Sequence, residues 1–180
     1  MVKRKESVIR TIRITKELDE LLQKDAKDKR LSVNALISMI MTRYAEWDRF
    51  NERFSIISLK REAFASDLET TEERLLIEVA KNVGQQVPKQ FMLFWFKKLN
   101  LETYLLYLSL VCTYARFAEY ELERDQSRIT ITLIHELGEK WSMFLKYWIQ
   151  EGMKATIGIT PAVGIMTNSV MVSFESNSGR

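Results

Sequence analysis

Ser7-Val8-Ile9-Arg10-Thr11-Ile12-Arg13-Ile14 alternates its side chains between two faces. Val8, Ile12 and Ile14 fall on one side of an extended chain, and Ser7, Ile9, Thr11 and Arg13 on the other, which predicts a strand. Thr15 follows as an N-cap, with Lys16-Glu17 placing an acid in the first turn of a helix. Leu18, Leu21, Leu22 and Ala26 recur at helical spacing, and Asp28-Lys29-Arg30-Leu31 breaks the pattern. Ser32 then caps a second helix carrying Val33, Leu36, Ile37, Ile40, Tyr44 and Trp47, expected to run to about Arg53. A lone strand leaves its backbone donors and acceptors without partners. Pairing with the same strand of a second chain supplies them, so this opening predicts a dimer.

Charge follows the same division. The first 30 residues hold ten Lys and Arg against six acids, whereas the other 150 hold 17 against 18, within a net charge of +3. A basic start on a neutral body is the footprint of a nucleic-acid-binding head. Hydrophobic residues make up 46% of the chain, enough for a packed core. A single cysteine, Cys112, excludes an intrachain disulfide, and with His135 as the one histidine no metal site or cofactor is expected. No apolar segment follows Lys3-Arg4-Lys5, and the continuous apolar stretch Thr103 to Ala115 is shorter than a membrane span. The expectation is a cytoplasmic protein without a membrane partner. Neither a Gly-rich phosphate loop nor a nucleophile elbow is present, so no enzyme is expected.

Arg10-Thr11-Ile12-Arg13-Ile14-Thr15-Lys16-Glu17-Leu18, followed by Ser32-Val33-Asn34-Ala35-Leu36-Ile37, resembles the ribbon-helix-helix family, the Arc/MetJ repressor class. The resemblance covers residues 7–47. It implies a homodimer, extendable to higher oligomers on DNA, whose two-stranded ribbon enters the major groove of double-stranded DNA. By position, Ile9, Thr11 and Arg13 would read bases. Lys3, Arg4, Lys5 and Arg10, with the backbone amides of Ser32, Val33 and Asn34, would hold phosphates. A ribbon fits the major groove, Arg bonds both guanine acceptors, and a helix N-terminus is a natural phosphate site. Two departures stand out. Arg10 takes an inward strand position where the family prefers an apolar residue, and Arg30 stands where the family has glycine.

Beyond residue 53 the pattern predicts a strand over 54–59, a helix over 60–67, and a Thr70–Glu73 capping box opening a helix that Gly84 ends. Pro88 would open another helix through 91–96, and Asn100 a longer one over 101–117. Residues 118–123 and 128–134 read as a hairpin around Arg124-Asp125-Gln126-Ser127. A helix over 136–154 and strands over 156–166 and 169–174 follow, ahead of a polar tail over 175–180. The whole predicts an α+β chain with two domains. Residues 1–53 form a ribbon-helix-helix head, and 54–180 form an α+β regulatory or oligomerisation domain of helices followed by a ββαββ layer. His135, Lys140 and Trp141 are candidates for lining an effector pocket there, with a strand-to-helix junction as the plainer reading. The expected function is transcriptional regulation; the alternatives are the antitoxin of a toxin–antitoxin pair and a non-specific architectural DNA-binding protein.

Overall fold

A computed structural model describes residues 8–54, 56–125 and 127–175. The chain is α+β and divides into two compact units, Met1–Asn51 and Glu52–Arg180.

In the first unit, helix α1 spans Lys16–Asp28 and α2 spans Val33–Arg43. Thr15 Oγ1 accepts from the Leu18 amide at 3.3 Å, and Ser32 Oγ from the Ala35 amide at 3.1 Å. Both predicted caps are therefore made. Between the helices the Arg30 amide donates to Lys27 O at 3.0 Å and the Leu31 amide to Ala26 O at 2.8 Å. This pair of bonds is a Schellman motif, and Arg30 supplies its left-handed residue with φ of 56°. Helix α2 continues through a π-helical turn, Tyr44–Asp48, into α3, Arg49–Phe54. Arg43 Nε bridges that wider turn to Asp48 Oδ2 at 3.1 Å.

The predicted strand is not shown. Residues 8–15 carry no regular structure, and Ser7 lies outside the described residues. A ladder needs a second strand, and no described segment of the chain pairs with this one.

The second unit opens with α4, Arg61–Thr70, then α5, Glu73–Trp95, and α6, Leu101–Ala115. Strands β1, Glu119–Asp125, and β2, Arg128–Ile134, form a hairpin; Gln126 of its turn lies outside the described residues. Helix α7, Gly138–Ile157, leads to a second hairpin of β3, Ala162–Met166, and β4, Ser169–Glu175. The four strands form one antiparallel sheet in the order β1-β2-β4-β3, the expected ββαββ layer. Alternation along the central strands buries Ile129, Ile131, Leu133, Val170, Val172 and Phe174 on one face. With Trp141, Leu145, Trp148, Ile149 and Met153 of α7 they form the core. Residues 176–180 of the expected polar tail lie outside the described residues.

Several boundaries depart from expectation. Phe54 ends α3 and residues 56–60 are irregular, so the described part of 54–59 is not a strand; Ser55 lies outside it. The Phe54 ring stacks on Phe91 at 3.8 Å between centroids, which turns it into an aromatic cluster instead. Thr70 makes no capping box: its hydroxyl donates back to Asp67 O at 3.0 Å, and Glu72 precedes α5 without a side-chain cap. Gly84 and Pro88 neither end nor start a helix but lie buried inside α5. A Cβ at Gly84 would meet the Trp148 carbonyl oxygen at 2.5 Å, so glycine is what lets α5 and α7 approach. A Cβ at Gly152 would meet Tyr104 Oη at 2.9 Å and Pro88 Cγ at 3.2 Å across the same crossing. Pro88 packs at this crossing although a proline in a helix interior ordinarily costs about 3 kcal/mol. Helix α7 runs on to Ile157 and stops at Gly158, φ 71°, which delays β3 to Ala162.

Candidate nucleic-acid interface and the C-terminal cavity

Ile9, Arg10, Thr11 and Arg13 are all exposed, with Ile9 at 92%. Lys3, Arg4 and Lys5 lie outside the described residues. The first turn of α2 contains Val33 and Asn34 and no acid, and Ser32 and Asn34 are exposed. The two helix N-termini of this unit therefore differ. Glu17 and Asp19 sit in the first turn of α1, where the Glu17 carboxyl is held below the usual carboxylate range by its own backbone amide and the Thr15 hydroxyl. Those acids answer the positive end of the α1 dipole, while the same end of α2 is left without an anionic side chain.

The apolar surface of the unit is equally uneven. Among its described residues only Ala26, Leu36 and Trp47 are buried. Val8, Ile12, Leu18, Leu21, Met39, Ile40, Met41 and Tyr44 are exposed, although several belong to the periodic apolar stripes that define the helices.

In the second unit a cavity of about 550 Å³ lies between the end of α6, the start of β1, the end of β2 and Arg61. Cys112, Arg116, Tyr120, His135 and Glu136 line it. Arg61 Nη1 meets Glu136 Oε2 at 2.6 Å beside it. Burial pushes the Cys112 thiol up to about 12, leaving an inert apolar lining group. Tyr120 Oη is buried without a hydrogen-bond partner, and burial likewise raises the Tyr120 phenol to about 12.

Of the three residues expected around a pocket, the structure brings only His135 to this cavity. The Leu137 amide donates to His135 Nδ1 at 3.3 Å, which leaves the proton of the neutral ring on Nε2, 2.9 Å from Ser142 Oγ. Ser142 Oγ donates to Met166 O at 2.6 Å. The His135 amide donates to Asn168 O at 2.9 Å, and Asn168 Oδ1 accepts from the Gly138 amide at 3.1 Å. His135 thus joins the end of β2, the first turns of α7 and the β3–β4 turn. Burial lowers its pKa from 6.5 and keeps it neutral. Lys140 Nζ donates to Glu69 O at 2.6 Å and Thr71 O at 2.8 Å, closing the C-terminal end of α4. Trp141 is buried, stacks on Phe144 at 4.8 Å and donates through Nε1 to Phe117 O at 3.2 Å. Both are packing residues, because the turn of α7 that carries them faces α4 and the α6–β1 link. Sequence reasoning missed Arg61, Cys112, Arg116, Tyr120 and Glu136 as neighbours. They come from distant segments, and no local spacing signals that they meet.

Among the described residues no helix is long and apolar enough to cross a membrane. No family model, no curated protein and no solved structure matches this chain.

Proposed function

We propose that the chain is a sequence-specific DNA-binding regulator of transcription that works as a dimer through residues 1–53. In this reading residues 7–14 of two copies form an antiparallel ribbon, Ile9, Thr11 and Arg13 face the bases, and Arg10 reaches toward phosphate. The open N-terminus of α2, at Ser32, Val33 and Asn34, takes another phosphate, and the basic arm Lys3-Arg4-Lys5 adds contacts blind to sequence. The observation that carries the proposal is the exposed apolar surface of the first unit. A unit with three buried residues among those described, and apolar stripes facing water, is half of a core, and a second copy completes it. The Schellman turn and the two caps support the same reading, because they set the helix spacing that the ribbon-helix-helix resemblance implies. Residence on the cytoplasmic nucleoid goes with it. The second unit, which holds its own core and a cavity, serves regulation or assembly.

Selection of bound sequences from a random DNA pool tests the proposal. The expected product is a pseudo-palindromic site bound by an even number of chains. Recovery of unenriched DNA would point to architectural binding, and recovery of none would remove the DNA reading.

A further inference from the structure

The sheet of the second unit has two edges, and their sequences differ in one decisive respect. Outer-face positions of β1 are Glu119, Glu121, Glu123 and Asp125, as their pairing with Ile134, Thr132, Thr130 and Arg128 shows. Strand β3, Ala162-Val163-Gly164-Ile165-Met166, contains no charged residue. Charged side chains protect a sheet edge from further pairing, so β1 is guarded and β3 is not.

Self-complementarity sharpens the contrast. When β1 is paired antiparallel with a copy of itself, every register that matches outer face to outer face sets acid against acid. Like charges directly opposite destabilise a strand pair. For β3, a two-fold axis at Gly164 sets Ala162 against Met166, Val163 against Ile165 and Gly164 against Gly164. Every pair is apolar. Val163 and Ile165 share a face with Val172 and Val170 of β4, so the apolar inner layer would run on across the new pair. The hydrogen-bond pattern agrees. The two-residue turn Thr167-Asn168 makes Met166–Ser169 the closing pair of the hairpin. By ladder alternation the backbone groups of Val163 and Ile165 then point away from β4. They are the groups that the Gly164-centred register bonds. Space is also free, since a Cβ at Gly164 meets nothing within 4 Å and Met166 is 71% exposed.

We propose that β3 is an association edge, pairing antiparallel with β3 of a second copy about Gly164 to join two sheets into one of eight strands. The acidic β1 edges then lie at the far ends of the joined sheet. The proposal stands apart from DNA binding, although a dimeric head would raise the effective concentration of one β3 for the other.

Intermolecular disulfide formation in the full chain tests it. A non-hydrogen-bonded antiparallel pair holds its Cα atoms about 4.5 Å apart, within disulfide range. Gly164→Cys is therefore expected to cross-link under mild oxidation at least about tenfold faster than Glu121→Cys or Met171→Cys, which share any head-driven proximity. Cys112 is buried and serves as a silent background in each variant. Within Gly164→Cys, adding Ala162→Glu and Met166→Glu should slow the cross-link by opposing like charges. Adding Ala162→Lys and Met166→Glu should preserve it, because Lys then faces Glu in the proposed register. Equal rates for Gly164→Cys and Glu121→Cys, or equal slowing by both double substitutions, would overturn the proposal whether or not the chain binds DNA.

Discussion

The two units solve the problem of burying apolar residues in opposite ways. Among the described residues, the second unit buries 23 hydrophobic side chains and the first buries three. Chain length does not account for so large a gap, because the first unit has the apolar residues and leaves them at the surface. Leu21 is 54% exposed, Ile40 50% and Tyr44 61%. The second unit has the means to stand by itself, whereas the first has a surface that asks for company. That difference teaches where to look for function: in the part whose sequence is well patterned but whose core is incomplete.

The largest effect should come from breaking the self-sufficient side. Leu145 is fully buried in α7, and Leu145→Ala should cost the second unit about 2–5 kcal/mol. Denaturant titration should give that loss unchanged across protein concentrations. Ile40→Glu tests the other side. For a side chain half exposed in a free monomer the effect would be within about 0.5 kcal/mol. If a second copy covers it, the loss is about 1.5–3 kcal/mol per chain. A loss within the smaller range would mean that no second copy covers Ile40.

Acid should separate the units more gently. The buried His135 takes up a proton less readily in the folded chain than in the unfolded one, whose imidazole titrates near 6.5. Its contribution is therefore complete above pH 6.5 and is lost as the pH falls toward the lowered folded value. Replacing it, as in His135→Gln, should flatten that acid limb in the melting temperature of the second unit. A limb that persists unchanged would assign the effect to other groups. Arg30→Gly is the smallest change. Relieving a left-handed arginine should stabilise the first unit by a few tenths to about 1 kcal/mol, measured as a raised unfolding midpoint. A lowered midpoint would mean that the Arg30 side chain contributes more than its backbone costs.

Local physics was legible. Thr15, Ser32 and Asn100 cap helices because a hydroxyl or amide three residues ahead of an amide needs nothing distant. The two hairpins follow from turn chemistry in the same way, although Arg124 and Asp125, expected in the first turn, pair within β1. Gly84 and Pro88 misled because their reason is the α5–α7 crossing, where a glycine ordinarily read as a stop provides clearance. Thr70 and Glu73 have the right spacing for a capping box, yet the Thr70 hydroxyl bonds the end of α4 instead. Phe54 looked like strand material because its stacking partner Phe91 lies far along the chain. The π-helical turn at Tyr44–Asp48 left no signal in the apolar repeat. At the candidate sites, the alternation of residues 7–14 has no counterpart in burial, because Val8 and Ile12 are exposed along with Ile9, Thr11 and Arg13. Lys140 and Trp141 were drawn toward a pocket by proximity in sequence to His135, and the helix turns them to other neighbours.

Arg13→Ala, set beside the unaltered chain on the selected DNA site and on a scrambled duplex of the same composition, separates base reading from phosphate binding. If the first unit reads bases through its ribbon, the substitution costs about 1–3 kcal/mol on the selected site and much less on the scrambled one. The selectivity ratio then falls while the melting temperature stays nearly constant. Equal loss on both duplexes would mean that Arg13 meets phosphates alone and that the ribbon does not read bases.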